Sequence, residues 1–261
     1  MYIHSRAASV VYKIILALVG ISALLYEVGF GYGYFRSVFF CYFTNLSNIA
    51  VVAYLWAAAV AALRKDSTWP EPWQPKLKHA LMLAITVTWL VAHFLLDHGG
   101  VFKGGTFHWT SLVLHYIVPI GMILDWLLFD RKGTMSKFEP PCWIAFPLAY
   151  LACIMVGVWC FGLYVRVDDH SRWPYDFIDF DKHGVPGVAL TVLLLIVGFV
   201  ILGYVYMLVD HLMDRTASNT LPAKSCFLVM RTGVAWRPPG EYGHHVQSIE
   251  GVSHVHWHAF H

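Results

Sequence analysis

The chain has 261 residues, of which 58% are hydrophobic and 13% charged, with a formal net charge of +2 and a mean hydropathy of +0.57. A soluble chain carries about 25% charged residues, so this composition excludes an ordinary water-soluble domain. No basic cluster interleaved with stacking aromatics is present, which excludes nucleic acid as a partner.

In chain order, the apolar stretches predict six spans, at about 9–29, 38–63, 79–97, 107–129, 142–165 and 185–209. The first follows Arg6 and contains Lys13, the basic residues of a signal peptide, but Leu24-Leu25-Tyr26-Glu27 offers no small-residue cleavage site, so it reads as a retained helix. The expected architecture is all-α: a polytopic six-transmembrane-helix bundle over residues 1–210 and a polar tail over 211–261. The amino end and even-numbered loops hold Arg6, Lys13, Arg64, Lys65, Lys76, Lys78, Arg131, Lys132 and Lys137. The odd-numbered loops hold only Arg36, Lys103, Arg166, Arg172 and Lys182. This bias predicts both termini in the cytoplasm. The outer loop 166–184 is acidic, with Asp168, Asp169, Asp176, Asp179 and Asp181.

Past Asp210 the chain turns polar, with Pro238-Pro239-Gly240 and six histidines among its last 18 residues, a composition expected of a disordered tail. Those histidines lack cysteine or carboxylate partners at ligand spacing, so no metal centre is expected. The five cysteines form no C-x-x-C pair. Cys153 and Cys160 suit packing, and a Cys41–Cys160 pair is the one conceivable disulfide.

Polar groups inside a bilayer are costly and mark functional candidates. Four places qualify: Thr44-Asn45-Leu46-Ser47-Asn48 in the second span, His93 in the third, and His115 and Asp125 in the fourth. At a rise of about 1.5 Å per residue, Thr44 falls roughly 8 Å below an outer end near Phe39 and His115 roughly 9 Å below one near Trp109, so the two share a level; His93 falls roughly 6 Å below Asp97, also in the outer half. Thr44, Ser47 and Asn48 lie on one helical face. Asp125 belongs near the opposite interface, where Arg131, Lys132 or water would serve it, while Lys13 would snorkel. Trp69, Trp73 and Trp126 are expected in the interfacial belt. Pro119 lacks the N–H that would bond the carbonyl of His115, so a kink is expected there. Pro147 would free the carbonyl of Trp143 in the same way.

A threonine hydroxyl becomes a nucleophile when a base takes its proton, and histidine is the usual base. Thr44 and His115 supply both. The amides of Asn45 or Asn48, with Ser47 beside them, would stabilise an oxyanion or bind substrate. Asp97, Glu27 or Asp179 would orient the imidazole, and His93 would support the site. At that depth the matching substrate is a lipid ester, and no cofactor or metal is required. Alternatives remain from the residues alone. Thr44 would bond the carbonyl of Phe40, His93 and His115 would ligate a haem, the pocket would bind or transport lipid without chemistry, or Cys41 would be the nucleophile. Nothing in the sequence sets an oligomeric state.

Phe43-Thr44-Asn45-x-Ser47-Asn48, Leu114-His115-x-x-x-Pro119 with Asp125-Trp126, Pro147-x-x-Tyr150, and Trp173-Pro174-Tyr175-x-Phe177-x-Asp179 occur in the order and spacing of a bacterial six-transmembrane family. That family is similar to the androgen-induced-gene and androgen-dependent TFPI-regulating (FAR-17a-like) membrane hydrolases of animals. The resemblance covers about residues 10–210. It implies a bacterial inner-membrane location and a threonine–histidine hydrolase of fatty acid esters of hydroxy fatty acids or similar lipids. The roles would fall on Thr44 and His115, without a cofactor. The asparagines after Thr44 and the acid at Asp179 resemble the bacterial branch in particular.

Overall fold

The computed structural model describes residue 3 and residues 5–64, 72–96, 108–165 and 171–220. Expectations for Asp97, Trp69 and the histidine-rich tail beyond 220 lie outside the described residues. The fold is all-α, with six helices long and apolar enough to cross a membrane: α1 Arg6–Phe30, α2 Phe43–Leu63, α3 Pro75–Leu96, α4 Trp109–Phe129, α5 Glu139–Phe161, and α6, whose apolar part is Phe180–Arg215. Helix α6 continues to Thr220, past the boundary expected at 210.

Helices α1 to α4 form the core, which gathers Leu16, Val51, Leu55, Met82, Ile85, Val118 and Met122. Two glycines let α1 approach its neighbours. A Cβ on Gly20 would meet Val52 at 2.6 Å, and one on Gly121 would meet Leu16 at 2.6 Å. Small residues at such contacts let helix backbones come together where lipid tails supply no hydrophobic drive between helices. Helices α5 and α6 flank this core and leave Leu148, Val156, Leu190, Leu194, Val197 and Ile201 exposed, an apolar face suited to hydrocarbon. Gly203 of α6 packs on Pro140 and Trp143 of α5, and Tyr206 of α6 shares a 2.8 Å hydrogen bond with Thr86 of α3.

Several boundaries differ from expectation for local reasons. Helix α2 begins at Phe43, because a separate 3-10 turn, Ser37–Cys41, precedes it and Tyr42 between them is extended at φ −96°, ψ 128°. Thr44 therefore lies in the first turn of α2. Pro147 also lies in a first turn, that of Ala145–Phe161, where its missing N–H has no intrahelical partner to deprive. Trp126 is buried at 1% exposure instead of lying in an interfacial belt.

At the end of the bundle that holds the amino terminus, the expectations for Asp125 and Lys13 are corrected. Asp125 is fully buried and bonds neither Arg131 nor Lys132. Lys13 of α1 meets its Oδ1 at 2.7 Å and Lys78 of α3 meets its Oδ2 at 2.5 Å. Lys78 also pairs with Asp130 at 2.6 Å, and Lys13 donates to Ser9. Two cations and two anions balance inside the protein, so neither lysine needs to reach for an interface. Beside this cluster, Lys132 donates to the carbonyls of Trp126 and Asp130, and burial pushes its ammonium down to about 8. Asp210 of α6 accepts from the amides of Thr134 and Met135, tying that helix to the turn after α4.

Removing one member of a buried ion pair strands its partner and costs about 3–5 kcal/mol. Asp125→Ala is expected to lose stability on that scale, read as a large drop in the thermal unfolding midpoint of detergent-solubilised protein. Lys76→Ala, at an exposed position outside these pairs, should leave the midpoint nearly unchanged.

Candidate functional site

The opposite end of the bundle is built on three π-helical turns, Tyr26–Phe30 in α1, Ala92–Leu96 in α3 and Val113–Ile117 in α4. Such turns widen the helix and often occur at functional positions. Each carries one polar side chain singled out from the sequence: Glu27, His93 and His115.

The π turn of α4 changes the consequence of Pro119. In an α-helix the proline would deprive the carbonyl of His115. Here the register is one residue longer at Val118, whose amide bonds the carbonyl of Val113, and in this register a residue at 119 would face the carbonyl of Leu114, to which proline offers no N–H. Asn48 meets that carbonyl from the neighbouring helix: its Nδ2 donates to the carbonyl of Leu114 at 3.0 Å and to that of Thr44 at 2.8 Å. One buried amide thus bridges the turn that carries Thr44 to the turn that carries His115.

With those turns joined, Thr44 Oγ1 lies 3.3 Å from His115 Nε2, and Ser111 Oγ, one turn before the histidine, lies 3.1 Å from Nδ1. The tautomer with hydrogen on Nδ1 donates to Ser111 and leaves Nε2 to accept the threonine proton, the arrangement a general base needs. The hydroxyl of Thr44 engages the histidine; Phe40 belongs to the separate 3-10 turn. A haem iron at His115 would have to displace Thr44 or Ser111, since both ring nitrogens face these hydroxyls. Among the described residues no group of three His, Cys, Asp or Glu side chains is arranged to hold a metal ion.

The remaining sequence candidates have other partners. Asn45 Nδ2 donates one N–H to the carbonyl of Phe39 at 2.9 Å and lines the cleft described below, whereas both N–H groups of Asn48 are taken by backbone carbonyls. Ser47 donates to the carbonyl of Thr44 and lies 2.9 Å from Thr88 of α3. His93 Nδ1 meets the hydroxyl of Tyr116 at 3.0 Å. Asp179 caps α6, accepting from the amides of Asp181 and Lys182 and from the hydroxyl of Ser171. Glu27 accepts from Arg36 at 2.9 Å and Thr110 at 2.6 Å. Cys41 is a free thiol that burial pushes up, away from the thiolate a nucleophile would need, and Cys160 is likewise free.

Sequence reasoning missed Ser111 as the group that holds the imidazole, although its i, i+4 spacing to His115 was visible. It also gave no role to Tyr175, whose hydroxyl accepts from the Thr44 amide at 3.4 Å.

Thr44 stands where two spaces meet. A polar cleft of about 470 Å³ is lined by Glu27, Arg36, Asn45, Thr110, Ser111, His115 and Tyr175 among others. A narrower apolar groove of about 90 Å³ runs between α3, α5 and α6, lined by Val87, Val91, Leu148, Leu151, Val192, Leu195 and Phe199 among others. Thr44, Tyr175 and Leu96 line both.

No protein-family model, curated protein or solved structure matches this chain.

Replacing Asn48 by Leu would leave the carbonyl of Leu114 buried without a donor, at a cost of about 1–3 kcal/mol. Asn48→Asp would turn carboxylate oxygens toward two carbonyls and should be at least as damaging. Both variants are expected to lower the thermal unfolding midpoint, whereas Asn45→Ala, with one backbone bond to lose, should lower it less.

Proposed function

We propose that the chain is an integral membrane esterase in which Thr44 is the nucleophile and His115 the base, acting on lipid esters. The observation that carries this reading is the 3.3 Å approach of Thr44 Oγ1 to His115 Nε2 at the junction of a polar cleft and an apolar groove. The apolar lining of the groove suits an acyl chain and the polar cleft suits the alcohol part of the ester, which would put the bond between them at the hydroxyl.

His115 takes the proton of Thr44 as its oxygen bonds the acyl carbon. Collapse of the tetrahedral intermediate breaks the bond to the alcohol, which leaves with the proton held by His115. Water, activated by the same imidazole, then releases the fatty acid and restores the threonine. Ser111 holds the ring in the required tautomer. No step calls for a metal or cofactor. The likeness of the Thr44 and His115 motifs to the FAR-17a-like hydrolases supports fatty acid esters of hydroxy fatty acids as the first substrates to try. In this reading both termini are cytoplasmic, the membrane is a bacterial inner membrane, and the site faces the outer leaflet.

The test is hydrolysis of a panel of lipid esters by protein purified in detergent. Thr44→Ala and His115→Ala are each expected to lose at least about 10²-fold in turnover while keeping the wild-type unfolding midpoint. Full turnover in both folded variants overturns the dyad. Binding of lipid without product in the wild-type protein favours a carrier instead. Ser111→Ala should retain activity but lose roughly tenfold in kcat, because the imidazole loses its fixed orientation.

A further inference from the structure

We infer that Tyr175 is the oxyanion donor of this site, a role that rests on the esterase reading above. Asn48 gives both its N–H groups to the carbonyls of Thr44 and Leu114, and Asn45 gives one of its two to the carbonyl of Phe39. Tyr175 is the polar group that lines both the cleft and the groove together with Thr44.

Its hydroxyl oxygen accepts from the amide of Thr44 at 3.4 Å, which leaves the phenol's one proton to be donated elsewhere. The ring is held from two sides. Phe177 stacks on it at 5.2 Å between centroids and Tyr42 packs edge-on at 5.9 Å, and the residue is 7% exposed. A donor fixed before the reaction needs no reorganisation as charge develops. Burial pushes the phenol up to about 12 against the lowering pull of Thr44, so it stays protonated at neutral pH and can donate.

In the reacting complex the oxygen of Thr44 bonds the acyl carbon, the carbonyl π pair moves onto the carbonyl oxygen, and His115 takes the hydroxyl proton. Tyr175 donates its O–H to the resulting oxyanion and keeps the proton throughout. When the pair returns to re-form the carbonyl, the bond to the alcohol breaks and His115 protonates the leaving oxygen. The bond to Tyr175 is strongest in the charged intermediate, so its loss falls on kcat more than on KM.

The experiment uses the full chain in detergent with the ester that the wild-type protein turns over. Tyr175→Phe keeps the ring and its packing and is expected to lower kcat on the order of 10²-fold with KM changed less than about twofold. Wild-type kcat in the folded variant overturns the assignment while leaving the Thr44–His115 reading intact. A wild-type protein with no turnover on any ester overturns both. Should Tyr175→Phe fail to fold, 3,5-difluorotyrosine at position 175 preserves the shape and acidifies the phenol. It should bring the alkaline loss of activity to lower pH, and an unmoved alkaline limb overturns the assignment.

Discussion

The candidate site depends on the bond from Asn48 to the carbonyl of Leu114. A backbone acceptor left unpaired inside a membrane bundle costs several kcal/mol unless the protein itself supplies a donor. The carbonyl of Leu114, in the π turn before Pro119, is met by Asn48 of α2. Because the same amide also holds the carbonyl of Thr44, satisfying one deficit fixes the distance between two turns. The approach of Thr44 to His115 is a consequence of that clamp, reinforced by Ser47 on Thr88 and Ser111 on His115.

The two ends of the bundle solve opposite problems. At the amino-terminal end, Lys13, Lys78, Asp125 and Asp130 cancel one another with little space between them, so α1, α3 and α4 are locked together there. At the other end the helices loosen into π turns and open a cleft lined by hydroxyls, an imidazole and the Arg36–Glu27 pair. A rigid base and a widened mouth place the structural charges away from the groups available for chemistry.

Much of this was legible in the sequence, because hydropathy over about 20 residues fixes a spanning helix whatever its neighbours are. The spans agree within about four residues, apart from the start of α2, where an extended Tyr42 interrupts an otherwise apolar run, and α6, which begins before and runs well past the expected 185–209. Shared depth and one-face spacing singled out Thr44 and His115. The partners of Asp125 were misread because charge pairing was assigned along the chain, to Arg131 and Lys132, whereas the packing brings Lys13 and Lys78 from other helices. A proline reveals a missing donor but not the local helical register, so the π turn at Val113–Ile117 and the bond from Asn48 to Leu114 were not legible in the sequence. The paired hydrogen bonds made by Asn48 are hidden in the sequence, which shows the donors a residue owns and not the acceptors that claim them. Tyr175 lies on a short segment before α6, remote from Thr44 in the chain, and only the fold brings it to the nucleophile.

The apolar groove has unequal walls. Its α3 side belongs to the packed core, whereas α5 and α6 bury little of their surface and present Leu148, Leu190, Leu194 and Val197 outward. The width of that channel is therefore set partly by the lateral pressure of the surrounding acyl chains. Changes in the bilayer that tilt the two outer helices would alter the groove's capacity, making it a property of the host lipid as well as of the polypeptide.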